Sequence, residues 1–309
     1  MIFLKIRGGA GNQFAQYAFV RALINARGNT DELIIDDSGI YETKYNDFLE
    51  DHLKWYKTYP YRLGRKPNKW LGLRVLCRIF RRIHKIGSPG YIKSHEWLAP
   101  KGVYSLEGID YSPIISTVKD IYVEGTYENP LYYDPIRDIL LKEFTVKGQY
   151  KVRPTSIIGH IREKESICVS VRKWPEEEIS GRRIQQTPEF YRKALNQIYT
   201  ATGKKDYNVI LFSNDTEFVK TLGLGENVHV EEGDGTIYEK IYAMSLCTHF
   251  VLSNSSFSWW AQYLCSNEDK VVVSPYCPKL GYFKYQDPPG GVKEQNWIIL
   301  DAKTGDKIN

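Results

Sequence analysis

The sequence IFLKIRGGAGNQFAQYAFVRAL, residues 2–23, decides the fold class. Its first five residues are apolar apart from Lys5, which is the pattern of a short buried strand. Three glycines, Gly8, Gly9 and Gly11, follow almost at once, and after them apolar residues recur at helical spacing. A strand, a glycine turn and a helix in this order open a βαβ unit, so the sequence predicts an α/β fold.

Strand and helix patterns alternate along the rest of the chain. Strands are predicted at residues 32–36, 121–125, 167–171, 207–212, 249–252, 271–273 and 297–300, and helices at 134–144, 188–200, 239–247 and 258–265. This alternation predicts parallel sheets with helices on both faces. The stretch 145–165 contains several Lys, Gly and Pro residues and marks a boundary. We therefore predict two Rossmann-like domains, residues 1–150 and 151–309.

The segment 61–86 is strongly basic, since it carries nine Lys and Arg residues and no acid. We predict a helical insert of the N-terminal domain here. One face of that helix would carry the apolar residues and another the basic ones: Leu73, Leu76, Phe80 and Ile83 against Arg74, Arg78, Arg81 and Lys85. Two interpretations stay open: a solvated helix whose apolar face packs on its domain, and a helix that lies on anionic lipid.

The glycine turn is the first candidate binding site. Glycines in a first βα turn let the backbone approach a ligand, and the start of the following helix favours negative charge. We interpret Gly9 and Gly11 as ligand contacts and Asn12 as a group that positions the reacting centres. The amides of Asn12 and Gln13 favour a substrate role, because a turn needs neither of them. A tight turn without a ligand is the alternative.

The second candidate site is the sequence SNSSFSWW, residues 253–260, which follows a strand and opens a helix. Hydroxyls and backbone N–H groups at a helix start form a cradle for a diphosphate. We predict that Asn254, Ser255, Ser256 and Phe257 line this cradle, the alternative being a serine that only caps the helix.

Two further strands are followed by polar residues that suit a nucleotide. Arg172 comes directly after strand 167–171, at the edge of a parallel sheet where open α/β folds bind ligands. Its guanidinium can hold a phosphate and neutralise a leaving diphosphate, whereas an ion pair with the acids at 176–178 is the alternative. Ser213 and Asp215 end the next strand, where Asp215 contacts the ribose or base, or else caps the following helix.

Charge and composition exclude several classes of protein. The chain has 42 basic and 37 acidic residues, a net charge of +5, which is too balanced for a dedicated nucleic-acid binder. No D-x-D sequence occurs and the histidines lack metal-ligand spacing, so we predict a site without metal. The chain shows neither a leader nor a run of about 18 apolar residues. We expect a cytoplasmic protein, either free or peripheral on the inner face of a membrane.

Several of these motifs together resemble glycosyltransferase family 11, the α-1,2-fucosyltransferases. Residues 8–13 and 16–18 resemble the family's opening G-G-x-G-N-Q-x-F-Q-Y-A. Residues 124–129 resemble its G-Y-x-Q-S segment and 212–215 its F-S-D-D. Residues 242–260, from YAMSLC to SNSSFSWW, are the closest match. The resemblance runs nearly from end to end of the chain.

The family's H-x-R-R-x-D motif falls on residues 170–175. Arg172 keeps its first arginine, while Ser170, Lys173 and Pro175 replace the other three. The resemblance implies that Arg172 contacts the donor phosphate.

The resemblance implies a bacterial GT-B glycosyltransferase whose two Rossmann-like domains face each other across a cleft. It implies GDP-β-L-fucose as donor, bound mainly by the C-terminal domain, no metal or other cofactor, and transfer with inversion. The acceptor would be a galactose hydroxyl, in α-1,2 linkage, of a surface glycan such as O-antigen or capsule carried as a lipid-linked oligosaccharide. No role in nucleic-acid binding is expected.

Under this hypothesis Arg172 and the helix start at Ser255 and Ser256 stabilise the charge that grows on the leaving phosphate. The general base is sought among the carboxylates Glu176, Glu177, Glu178 and Asp215. Two alternatives stay open: a transferase for another GDP-sugar, and a catalytically silent module that binds a nucleotide or glycan.

Overall fold

The computed structural model describes residues 1–41, 50–65, 68–84, 88–104, 118–148, 156–176, 179, 184–225, 227–232, 235–276 and 297–308. The chain divides into two compact units, Met1–Lys147 and Gly148–Asn309. The sequence-based boundary lies at 150–151, within a few residues of this division.

The N-terminal unit is built on a five-stranded parallel sheet in the order β3-β2-β1-β5-β4. The strands are β1 (Ile2–Lys5), β2 (Leu33–Asp36), β3 (Tyr61–Leu63), β4 (Val103–Tyr104) and β5 (Ile121–Val123). The helices described in this unit are α1 (Ala10–Ala26), α2 (Leu71–Ile83), α3 (Pro89–Leu98) and α4 (Arg137–Glu143). Strand β1 is the central strand of this sheet and is buried at every position, so the glycine turn that follows it lies at the middle of the sheet's edge.

The C-terminal unit is built on a six-stranded parallel sheet in the order β11-β10-β9-β6-β7-β8. The strands are β6 (Ser166–Val171), β7 (Asn208–Ser213), β8 (Val228–Val230), β9 (His249–Val251), β10 (Val272–Pro275) and β11 (Trp297–Leu300). The helices described are α5 (Ser156–Glu163), α6 (Pro188–Thr202), α7 (Thr216–Lys220), α8 (Ile237–Ser245) and α9 (Ser256–Leu264). Numbered within the unit, this strand order is that of a dinucleotide-binding Rossmann sheet.

The predicted α/β class with Rossmann-like parallel sheets is confirmed. Long apolar runs identified the buried strands correctly, because strands covered on both faces need apolar side chains throughout. The elements β3, β8 and α3 were not predicted; the two strands have only three residues each, too few to show a period. Among the described residues, no helix has both the length and the apolar character needed to cross a bilayer.

The prediction of a purely helical insert at 61–86 was wrong at its start. Residues Tyr61–Leu63 form β3, the edge strand of the sheet. This part of the segment therefore belongs to the sheet of the domain and not to an insert. Helix α2 follows and packs on the sheet through Cys77, with Leu73 and Phe80 partly buried against the same cluster. Lys85 and Ile86 lie outside the described residues.

The predicted basic face of α2 was also wrong, because two of its arginines point inward. Arg74 is buried, pairs with Glu124 at 3.2 Å and lies 5.2 Å above the ring of Tyr122. Arg81 donates a hydrogen bond of 3.0 Å to the carbonyl of Glu124. These contacts fix the rotation of the helix and leave part of its apolar side, Ile83 included, at the surface.

Candidate functional site

The candidate site of the C-terminal unit lies where its strand order reverses. Strands β6 and β9 are hydrogen-bonded neighbours, and the chain leaves them toward opposite sides of the sheet. The crevice at the carboxyl ends of two such strands is where open parallel sheets bind their ligands. Arg172 follows β6 at this edge, and residues 253–256 follow β9.

Arg172 is half-buried and has no anionic partner among the described residues. Its guanidinium lies 4.7 Å from the ring of Trp174, and it forms no side-chain hydrogen bond or ion pair with a described residue. Burial lowers the pKa of Arg172, because a charged group loses hydration there without compensation. The predicted alternative, an ion pair with Glu176, does not form, and Glu177 and Glu178 lie outside the described residues. An unpaired, partly desolvated guanidinium is suited to bind an anion.

Three loops are tied together around Arg172. Asn214, after β7, accepts a hydrogen bond from the backbone N–H of Lys173 at 2.9 Å and donates one to its carbonyl at 3.0 Å. The indole N–H of Trp174 donates to Oδ1 of Asn254, after β9, at 3.1 Å. Gln185 donates to the carbonyl of Arg172 at 3.2 Å. These bonds join the loops after β6, β7 and β9, so Arg172 and Asn254 belong to one site.

The predicted diphosphate cradle is the start of α9. Ser255 caps this helix by accepting a hydrogen bond from the N–H of Phe257 at 3.3 Å. Ser255, Ser256 and Phe257 are partly exposed, whereas Asn254 is buried. The cap uses the Ser255 hydroxyl as an acceptor for one backbone N–H. The positive end of the helix dipole stays accessible, because the residues that form it are partly exposed.

Buried serine hydroxyls fix α9 against β6. The Oγ atoms of Ser170 and Ser253 lie 3.0 Å apart, and those of Ser253 and Ser258 lie 3.3 Å apart. Ser258 also donates to the carbonyl of Ser255 at 2.9 Å. Ser170, which stands where the family motif has histidine, is thus part of the scaffold that positions the helix start.

Of the remaining predicted residues in this unit, Asp215 caps a helix with its side chain, whereas Glu176 accepts a hydrogen bond from the N–H of Ile179 only through its backbone carbonyl, at 3.2 Å. Asp215 caps α7 by accepting a hydrogen bond from the N–H of Phe218 at 2.8 Å, and its own N–H donates to Oγ of Ser213 at 3.0 Å. Glu176 is exposed beside the Arg172 loop, and its carboxylate forms no ion pair with a described residue. The capping interpretation of Asp215 therefore describes the observed geometry.

The glycine turn of the N-terminal unit is a true helix start. Gly8 has φ of 75°, and a Cβ there would lie 2.5 Å from Nδ2 of Asn12, so only glycine fits. At Gly9, the N-cap, an added Cβ would meet no atom within 4 Å, and the first turn of α1 carries no acid. Gly11 is buried in that first turn. The open space at Gly9 suits an approaching ligand, as does a helix start that no side chain caps among the described residues.

The amides of Gln13 and Gln16 are structural, so the idea that the turn does not need Gln13 was wrong. Gln13 donates to the carbonyls of Gly8 at 3.0 Å and Glu50 at 2.9 Å and accepts from the N–H of His52 at 2.9 Å. These bonds hold the turn and the segment from Glu50 onward together.

A pocket that the sequence did not indicate lies in the same unit. It has a volume of about 570 Å³ and is lined by carboxylates, lysines and tyrosines, among them Asp37, Glu50, Asp51, Lys54, Tyr59 and Tyr61. Tyr61 donates to Oδ2 of Asp51 at 2.6 Å, and burial raises the pKa of Asp51. Flat tyrosine rings can stack on a sugar ring, and carboxylates accept hydrogen bonds from sugar hydroxyls.

The described residues contain no group of three or more His, Cys, Asp and Glu side chains placed to hold a metal ion.

Comparison with known proteins gives matches at two levels. A curated glycosyltransferase of O-antigen biosynthesis from Escherichia coli, WbnK, is 33% identical over 90 residues, which are 28% of this chain and only 29% of the relative's length. Among solved structures, fucosyltransferase NodZ from Bradyrhizobium is similar with a TM-score of 0.49 and 15% identity, covering 84% of this chain and 91% of NodZ. FUT1 from Arabidopsis thaliana has a TM-score of 0.47 and 11% identity, over 88% and 69% of the two chains.

The model of glycosyl transferase family 11 matches residues 109–300, which is more than half of the chain. The matched range contains Arg172, the β6–β9 crevice and the start of α9. The chain belongs to glycosyl transferase family 11.

Proposed function

We propose that this protein transfers L-fucose from GDP-β-L-fucose to a galactose hydroxyl of a surface glycan, in α-1,2 linkage, with inversion and without a metal ion. The observation that carries the proposal is Arg172, a half-buried guanidinium without an anionic partner among the described residues, at the β6–β9 crevice beside the positive end of α9. Such a site is suited to a diphosphate, and membership of the family directs the choice to GDP-fucose.

In the proposed reaction the acceptor oxygen attacks the anomeric carbon while the bond to the β-phosphate oxygen breaks. Negative charge then grows on the leaving GDP. Arg172 and the N–H groups at the start of α9 stabilise this charge, a contribution of about 3 kcal/mol for one well-placed donor. Asn254 accepts a hydrogen bond from the indole of Trp174, and the guanidinium of Arg172 lies over that indole ring. The Asn254 contact therefore helps to keep Arg172 in place.

The acceptor side is proposed for the N-terminal unit. Its pocket of about 570 Å³ offers tyrosine rings and carboxylates, and its volume lies in the range of small-molecule sites. Asn12 at the start of α1 positions the reacting groups in this proposal, Gly9 leaves room for them, and Gly11 is proposed as a further contact through its backbone. Glu176 is proposed as the general base because its carboxylate is exposed and free of ion pairs with described residues. The name of WbnK supports an acceptor of the O-antigen type.

A transfer assay tests this function. The purified chain is incubated with GDP-fucose and a soluble galactoside, with and without EDTA, and the product linkage is determined by NMR. We expect an α-1,2-fucosylated product at the same rate with EDTA. Transfer from a different GDP-sugar would support the alternative donor, and GDP binding without any product would support the silent module. Loss of activity with EDTA would overturn the absence of a metal.

A further inference from the structure

The outward face of α2 carries apolar side chains where a solvated helix would carry polar ones. Leu71, Val75, Ile79 and Ile83 are spaced four residues apart, so they form one stripe along the helix. Their side chains are 57%, 48%, 44% and 62% exposed. We call these four residues the α2 stripe. Isolated exposed apolar residues are ordinary, but an ordered row on one helix marks an interaction surface.

The stripe is held outward by contacts on the other side of the helix. Arg74 is bound to Glu124 and stacked on Tyr122, and Arg81 is bound to the Glu124 carbonyl. Turning the stripe into the protein would break both contacts and leave the partly buried Glu124 without Arg74. The exposure of the stripe is therefore a consequence of the fold and not of a loosely placed helix.

The charges beside the stripe identify its partner. Arg78 and Arg82 are exposed on the same outward side and form no ion pair with a described residue. The whole of α2 carries no acid. Trp97 of α3, 44% exposed, packs edge-on against Phe80 of α2 and lies 3.8 Å from Nζ of Lys101. Apolar side chains flanked by arginines, with an amphipathic aromatic nearby, complement the acyl chains and anionic headgroups of a bilayer.

We propose that the α2 stripe, with Arg78 and Arg82, docks the N-terminal unit on an anionic lipid surface. Val75 and Ile79 enter the boundary between headgroups and acyl chains, while the two guanidinium groups contact lipid phosphates. This corrects the face expected from sequence, since Arg74 and Arg81 are used inside the protein. Docking would bring the chain to a lipid-linked acceptor, and this role rests on the proposed function. The docking itself does not depend on that function.

Vesicle flotation tests the docking surface. The whole chain is mixed with phosphatidylcholine vesicles, with or without phosphatidylglycerol, at low and high salt. We expect the protein to float with the anionic vesicles at low salt and to stay behind with the neutral ones. Val75→Gln with Ile79→Gln should weaken binding about tenfold or more, because two apolar side chains no longer enter the lipid. Arg78→Gln with Arg82→Gln should weaken it about tenfold through lost attraction to phosphate.

Matched controls use residues of the same kind elsewhere. Leu131→Gln removes an apolar side chain that is 67% exposed, and Arg192→Gln removes an exposed arginine of α6, so neither should change flotation. Binding of the wild type to neither vesicle, or equally to both, would overturn the proposal. Sedimentation that shows a dimer dissociated by Ile79→Gln would also overturn it and assign the stripe to a second copy.

Transfer to a soluble galactoside separates this inference from the proposed function. The stripe variants should keep wild-type turnover with that acceptor. Normal transfer without vesicle binding would overturn docking alone, while vesicle binding without transfer would overturn the function alone.

Discussion

Replacing Arg172 with alanine is expected to lower kcat/KM for fucosyl transfer by about 10²–10³-fold while the fold stays intact. The guanidinium places a positive charge at the β6–β9 crevice, and burial lowers its pKa because no anion among the described residues compensates for the lost hydration. Its removal takes away stabilisation of the leaving diphosphate. Without nucleotide, the partly buried charge of Arg172 contributes nothing to the stability of the fold. The thermal stability of Arg172→Ala without nucleotide should therefore equal or exceed that of the wild type.

Two variants control this result. Arg172→Lys keeps the charge but loses the planar fork that grips two phosphate oxygens, so it should recover only part of the activity. Arg192→Ala removes an exposed arginine of the same unit, paired with Glu189 at 3.0 Å, and should leave kcat/KM unchanged. Near-normal turnover of Arg172→Ala would remove this residue from the mechanism.

Replacing Glu124 with alanine is expected to cost about 3–5 kcal/mol of unfolding free energy, the usual cost of leaving a buried charge unpaired. Its carboxylate accepts a hydrogen bond from Tyr122 at 2.7 Å and pairs with Arg74 at 3.2 Å, and Nζ of buried Lys5 lies 4.0 Å away. Burial alone would raise the pKa of Glu124, but the Tyr122 hydrogen bond and the Arg74 charge outweigh it and hold that pKa below its usual value. Urea unfolding of the two proteins measures the difference.

Glu32→Ala is the matched control, because Glu32 pairs with Arg62 in the same unit but both side chains are about half exposed. An exposed pair of this kind is worth no more than about 1 kcal/mol. If the two variants lose equal stability, Glu124 does not anchor β5 and α2 as described.

The sequence predicted the sheets and the edge at which the site lies, for a physical reason. Buried strands such as β6 and β7 are mostly apolar along their length, and ligands of parallel sheets bind at the carboxyl ends of such strands. Local patterns alone were therefore enough to propose Arg172 and Ser255 as site residues. The reversal of strand order between β6 and β9 then brings their loops together.

The contacts that complete the site could not be predicted, because they join residues far apart in sequence. Trp174 and Asn254 are 80 positions apart, and Lys173 and Asn214 are 41 apart. Neither pair belongs to a periodic pattern.

The rotation of α2 escaped prediction for the same reason. Its apolar and basic residues are visible in the sequence, but the partner of Arg74 is Glu124, which lies 50 positions away, directly after β5. Helical periodicity shows that a helix has two kinds of face and does not show which one meets the protein.

Calorimetric titration of the wild type and Arg172→Ala with GDP, GDP-fucose and UDP, with and without EDTA, tests the central claim most directly. We predict that the wild type binds GDP and GDP-fucose, does not bind UDP, and is unaffected by EDTA. Arg172→Ala should bind both guanine nucleotides far more weakly at unchanged thermal stability. Preference for UDP, or equal GDP affinity of the two proteins, would contradict the assignment of a GDP-fucose site to the β6–β9 crevice.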